Sequence, residues 1–424
     1  MDERLESMAT EIKEQYGLNN YYLHDSHLYR EKNALQETIY LFSMEWFPLK
    51  YKDSETGDEN PEGTAVIEID FHTKKLHRLI FVNGISYAKQ TSAYPENDQE
   101  SIIEWIESLT GLVWGQQFQL AEANEGTYRF RATVDNIAVH PEGFIEITFQ
   151  NNKLTHFSID GVFPTEDNII WEPFSLLPEN VAQLSMEQLK LVEFPVDHQK
   201  KWVPVYAIEE IFVTNDGRQT FPVNLQDSGG TRIEPDILLE WESPASYGFA
   251  REELPLQQEE VTVEMAERKE TDPDTLPISK AQADSCIKEA RLFLQAQYPD
   301  DSGKWILAAI QRDHGYFIVE LKETAVKQER IIADKIKLFI APETMKTVNY
   351  IDKKAFMDIF ADYASAADVV ISKKEAFEKL QEHLEISPIY VYNPDKKAYV
   401  LCGKLDCEYG VDASNGQLLP LSEF

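Results

Sequence analysis

The stretch Ser372-Lys373-Lys374-Glu375-Ala376-Phe377-Glu378-Lys379-Leu380, followed by Tyr399-Val400-Leu401-Cys402 and closed by Val411-Asp412-Ala413-Ser414-Asn415-Gly416, decides the fold. Ser372 stands where a helix N-cap belongs, ahead of Ala376, Phe377, Leu380 and Leu384 at helical spacing. The run from Tyr399 to Val411 reads as one long strand, and Asn415-Gly416 as the tight turn that ends it. An earlier stretch has the same succession. Ser185 opens a helix through Leu189 to Val192, Trp202 to Thr214 reads as a long strand, and Asn215-Asp216-Gly217 turns the chain.

Working outward, each stretch is preceded by a second helix and two hairpins. Asp98 caps a helix carrying Ile102, Ile103, Trp105, Ile106 and Leu109, which Gly111 stops. Strands are expected at Leu112–Ala121 and Thr127–Val134. A hairpin then joins Phe144–Phe149 to Lys153–Ile159 through Asn151-Asn152, residues that tolerate a left-handed turn. In the last third, Ser279 caps a helix with Ala283, Ile287, Ala290, Phe293 and Leu294. Strands at Lys304–Gln311 and Tyr316–Lys322 flank Asp313-His314-Gly315. More strands are expected at Ile331–Ile340 and Met345–Tyr350, then a helix from Asp352 to Tyr363.

The pattern predicts an α+β fold of repeated units, each a helix packed on antiparallel strands. Residues 1–97 form a separate N-terminal α+β segment, with a helix over 2–16 and strands at Thr38–Phe47, Thr64–Phe71 and Leu76–Val82. The two units span 98–250 and 278–424. Between them, 251–277 is acidic and poor in large apolar residues, as expected of a linker or loop.

The C-terminal residues quoted first resemble the YcdB/YcdC-type repeat family of bacilli. That family is similar to PepSY domains, whose units pair a helix with a hairpin closing on an Asp-Ala-x-Thr-Gly-like turn. Here Asn415 stands in place of the threonine. The resemblance covers residues 280–424 best and extends to 98–225. It implies repeated PepSY-like units, and modules of that kind are regarded as inhibitory or regulatory binding domains.

Composition narrows the function classes. There are 74 acidic and 40 basic residues, a formal net charge of −34. Such a field repels phosphate backbones and anionic lipid, and no run of Lys and Arg interleaves with aromatics, so no nucleic-acid partner is expected. No apolar stretch approaches the ~20 residues that span a bilayer, so no membrane partner is expected either. Met1-Asp2-Glu3-Arg4-Leu5 does not open a signal peptide. With only Cys286, Cys402 and Cys407 present, a reducing, cytoplasmic setting is the expectation for this soluble chain. Cys286 reads as a small core side chain. On one continuous strand Cys402 and Cys407 would point to opposite faces, sharing neither a disulfide nor a metal.

No Gly-x-Ser-x-Gly, His-Glu-x-x-His, Gly-x-x-x-x-Gly-Lys or Cys-x-x-Cys occurs. The sequence therefore nominates no catalytic residue and no cofactor. For a metal it offers only His24 and His27, which would share a face on a helix and part on a strand, with no third ligand identifiable. Asp53-Ser54-Glu55-Thr56-Gly57-Asp58-Glu59 supplies oxygen atoms without the spacing of a calcium loop, and reads as a solvated acidic loop. His72 and His77 flank a turn, as surface histidines do. The expected function is binding or regulation of a protein or peptide partner through exposed sheet edges. The alternatives are a hydrolase with its site in an inter-unit cleft, and a structural or assembly protein.

Overall fold

Asp2 starts the first helix, α1 (Glu3–Gln15): its carboxylate accepts the Arg4 N–H at 2.9 Å, and Leu5, Met8, Ala9 and Ile12 turn inward. The computed structural model describes residues 2–52, 60–89, 91–222, 230–244, 249–254, 260–324, 329–332, 335–353 and 357–424. They fall into two units interleaved along the sequence. Unit 1 is Met1–Ile170, Glu259–Asp272 and Tyr390–Val400; unit 2 is Trp171–Gln258, Pro273–Ile389 and Leu401–Phe424. The chain is α+β, with strands predominating. Among the described residues no helix is long and apolar enough to cross a membrane.

In unit 1, α1 leads into four antiparallel strands in sequence order: β1 (Tyr21–Lys32), β2 (Thr38–Pro48), β3 (Ala65–Asp70) and β4 (Leu76–Phe81). Helix α2 (Gln99–Thr110) repeats the opening. Asp98 accepts the Ser101 N–H at 3.0 Å, and Gly111, at φ +79°, ends the helix by donating to the Glu107 carbonyl. Next come β5 (Phe118–Asn124), β6 (Thr127–Val134), the short β7 (Ile137–His140), β8 (Phe144–Gln150) and β9 (Lys153–Asp160). β4 pairs with β9, giving one antiparallel layer in the order β1-β2-β3-β4-β9-β8-β6-β5. Alternation sends Met44, Ile67, Leu79, Phe157 and Ile147 in one cross-strand row toward the helices, where they join Ile12, Ile102 and Ile106 in a single core.

Residues 260–272, within the stretch that reads as a linker, are ordered in unit 1. A short helix, Val263–Glu267, buries Val263 and Ala266 in that core. Arg4 holds Glu264 and Glu267 at 2.8 and 2.6 Å, and Tyr40 donates to the Glu270 carbonyl at 2.6 Å. The final part of unit 1 is β10 (Ile169–Ile170), parallel to Tyr399–Val400.

Unit 2 opens with α3 (Ala182–Gln188), then β11 (Leu189–Val196) and β12 (Lys201–Ile208) as a hairpin, β13 (Ile211–Thr214) and β14 (Thr220–Pro222). A second layer comes next, with short strands β15 (Arg232–Ile233) and β16 (Ile237–Leu239) on its edge. Its helix α4 (Lys280–Gln297) covers β17 (Trp305–Asp313), β18 (Tyr316–Glu323), β20 (Lys335–Ala341) and β21 (Lys346–Asp352); β19 (Glu329–Arg330) leaves it to lie along β11. Cys286, Phe293, Leu307, Val319 and Leu338 fill this layer's core. The last elements are α5 (Lys373–Leu380), β22 (Glu385–Asn393), β23 (Ala398–Asp406), β24 (Tyr409–Asp412) and β25 (Leu418–Pro420), of which only Tyr390–Val400 count with unit 1.

These last elements exchange strands with the first four of unit 2. β12 pairs with β24, Tyr206 opposite Val411, while β13 pairs with β23, Val213 opposite Gly403. The layers are therefore β11-β12-β24-β25 and β22-β23-β13-β14. Helix packing is exchanged as well. Ala376, Phe377 and Leu380 of α5 sit on Leu189, Tyr206, Ile208 and Val411, whereas Val181 and Leu184 pack with Ile211, Val213 and Leu405.

Exchange corrects several expectations. Trp202–Thr214 is not one strand, because the chain leaves one layer at Glu209-Glu210 and enters the other. Tyr399–Val411 breaks the same way at Cys407-Glu408, so Cys402 and Cys407 do not share a strand; both are buried thiols. The helix placed at Ser185–Val192 ends at Gln188, since Leu189–Val196 alternates against β12 and goes extended. Residues 112–117 are irregular before β5. Asp352 ends β21; of the helix expected after it, Met357 is helical and Asp358–Phe360 form a 3-10 turn, with 354–356 outside the described residues.

Candidate functional site

The helices cover one face of the unit 1 layer, and the other face collects its polar residues. Register sets Ser43, Glu68, Arg78, Ser158, Glu146, Arg129 and Glu122 in one row from β2 to β5. At the row's centre Glu68, 10% exposed at its side chain, meets Arg78 at 3.3 Å, and Arg78 also reaches Asp160 at 3.3 Å. Burial, reinforced by the Glu68 and Glu31 carboxylates, pushes the Tyr29 phenol well above its usual range. Burial also holds the His77 imidazole below its ordinary value, against the opposing pull of Asp160, Glu68 and Asp70. Farther along, Arg129 lies 3.7 Å from Glu146 and 4.1 Å from the Phe144 ring centre.

The next row, Ile80-His156-Thr148-Thr127, floors an open depression of about 340 Å³ that Glu146 and Gln150 also line. Burial lowers the His156 pKa. Gly84 forms part of the wall at φ +68°, and any side chain there would collide with Gln150. The depression is shallow. Its threonine hydroxyls, carboxylate and imidazole offer donors and acceptors to a surface ligand, without enclosing one.

The layer ends at β5. Among the described residues β5 is hydrogen-bonded as a strand to β6 alone, apart from a bridge between Trp114 and Phe118 at its start. There the Gly115 N–H donates to the Phe118 carbonyl at 2.9 Å, so the first outward acceptor is occupied. Beyond it, residues 121–124 are exposed. Glu125 and Gly126, both at positive φ, make the two-residue turn back to β6. In such a hairpin the flanking pair, Asn124 and Thr127, exchanges hydrogen bonds, so Ala123 points its N–H and C=O away from β6. On the helix side of this edge lie half-buried Leu112, Trp114 and Leu120, with the Trp114 ring 5.3 Å from that of Phe118.

His24 and His27 both lie on β1, where a bulge between Leu23 and Asp25 interrupts the alternation. His24 stacks on Phe47 at 3.8 Å, and the His27 ring lies 5.6 Å from that of Tyr29. Neither belongs to a group of three metal-ligating side chains among the described residues. Asp53–Glu59 lie outside those residues. His72 is placed by the Ala266 carbonyl, 2.9 Å from its Nε2. The sequence reading missed the Glu68–Arg78 row. Its signal was the charged residue at every second position, Glu68 and Asp70 on β3 and Arg129 and Arg131 on β6.

The chain matches no protein-family model and no curated protein. Among solved structures it is similar to the Bacillus megaterium YpeB C-terminal domain, at 11% identity and a TM-score of 0.25 over 52% of this chain and 96% of that one. A likeness of that size carries no argument about function.

Proposed function

We propose that this chain is a binding or regulatory module built of PepSY-like helix-and-sheet units, and that it recognises a protein or peptide partner by adding the partner's extended segment to a sheet edge. The observation that carries the proposal is β5, a strand that among the described residues is bonded on one side and whose last residues are exposed. Backbone groups on such an edge supply affinity, and the pockets beside it supply selectivity. The unit design is supported by element order. α1 with β1–β4, α2 with β5, β6, β8 and β9, and α4 with β17, β18, β20 and β21 each set one helix before four antiparallel strands. The exchanged strands of unit 2 keep the same order with two partners.

Arrayed peptides and a pull-down with the folded full chain test the proposal. Captured partners should present an extended segment and should compete with one another. A folded chain that retains no peptide and no protein in either format would remove the proposal.

A further inference from the structure

The β5 edge has a chemical character that defines its partner. From Gln90 to Tyr128 the sequence carries seven carboxylates and no lysine, arginine or histidine. Two of these, Glu122 and Glu125, are exposed on β5 and its turn. Across the strand, Arg129 is engaged by Glu146 and by the Phe144 ring. Negative charge therefore sits along a free edge, while the other side of the same edge is apolar.

Register keeps the two characters apart. Leu120 lies opposite Phe130 and Ala123 opposite Tyr128, on the helix side with Trp114. Glu122, opposite Arg129, projects to the polar face. β5 is bulged between Leu120 and Glu122, which keeps Leu120 on one face and Glu122 on the other, and a strand laid along this edge would present its side chains alternately to these two surfaces. We infer that the occupant of the β5 edge is an extended segment of another protein in which lysine or arginine alternates with apolar residues. Its apolar side chains pack on Leu120 and Trp114, and its cations meet Glu122 and Glu125. This rests on the strand-addition proposal above and specifies the partner for it.

The test uses the full-length chain and fluorescein-labelled seven-residue peptides in which valine alternates with lysine, glutamate or serine, read by fluorescence anisotropy. The lysine peptide is expected to bind at least about tenfold more tightly than the serine peptide at low ionic strength, and to lose most of that advantage at about 0.5 M salt. Ala123→Pro removes an outward N–H and should abolish binding. The double charge reversal Glu122→Lys/Glu125→Lys, at exposed positions that leave the core alone, should invert the preference toward the glutamate peptide. Circular dichroism confirms that each variant is folded. Equal binding of all three peptides, still lost in Ala123→Pro, would overturn the charge assignment while leaving strand addition intact. Binding unaffected by both Ala123→Pro and the charge reversal would overturn strand addition at this edge together with the inference.

Discussion

The first four strands of unit 1 and the exchanged strands of unit 2 begin from the same kind of parts and connect them differently. In β1 to β4 every strand pairs with its predecessor, so α1 and its strands close over residues adjacent in the chain. In unit 2 the hairpin β11-β12 finds its next strand in β24, and β22-β23 finds its own in β13. The crossings are short and acidic, Glu209-Glu210 and Cys407-Glu408; Lys404 holds Glu210 of the first at 2.9 Å and Asp406, just before the second, at 3.2 Å. Element order alone therefore does not determine which residues stabilise one another. The contiguous strands depend on local contacts, whereas each exchanged layer depends on residues far away in the chain.

Truncation tests this contrast most severely. Deleting Tyr409–Phe424 removes β24 and β25 and takes Val411 and Ala413 from beneath α5. The expected loss is roughly 5 kcal/mol or more, since each well-buried apolar side chain removed costs about 1–4. Thiol chemistry reports it directly, because all three cysteines belong to unit 2. Burial pushes the Cys286 thiol up to about 12 and raises that of Cys407. In the full chain they should resist a thiol reagent at mildly alkaline pH; after truncation Cys407 should react at once. A truncated chain with protected thiols would mean that the exchange contributes little.

Ile106→Ala probes the contiguous side. The residue is fully buried in the unit 1 core, and its truncation should cost about 2–5 kcal/mol, measured by denaturant unfolding. Ser372→Ala returns to the exchanged side at lower amplitude. It breaks the capping box in which the Ser372 hydroxyl accepts from the Glu375 N–H at 3.3 Å and the Glu375 carboxylate accepts from the Ser372 N–H at 2.8 Å, for about 1 kcal/mol. The smallest effect is one of pH. The folded state holds His77 below its ordinary value of 6.5, so on acidification the unfolded chain takes up the proton first. His77's contribution is complete above that value and is lost as pH falls below it. His77→Gln should flatten this part of a stability-versus-pH curve, and an unchanged slope would show that His77 is not the group responsible.

Local chemistry made much of the fold legible. Asp98 with Gly111, Ser279 with Gln282, and Ser372 with Glu375 mark helix ends that the structure keeps, because caps act within one turn. Asn151 and Asn152 both adopt positive φ between β8 and β9, as a tight hairpin requires. The exchange was not legible. Glu209-Glu210 interrupts an apolar run by only two residues, and periodicity records which face a residue takes but not which strand lies beside it. β1 escaped assignment because Tyr22, His24, His27 and Tyr29 give it no clean alternation. The polar row of unit 1 depends on the registers of seven strands, so none of its members stands out alone. Residues 260–272 read as a linker because Val263 and Ala266 are their only fully buried apolar side chains.

The exchange also governs the order in which the molecule can be completed during its synthesis. A ribosome delivers β11 and β12 long before β24 and β25. Until α5 and β24 have been made, Leu189, Tyr206 and Ile208 lack the helix and the strand that will cover them. The nascent polypeptide therefore carries an unfinished, sticky hairpin until β24 follows, the kind of surface that holding chaperones bind. β1 to β3, by contrast, have all their strand partners next to them in the chain.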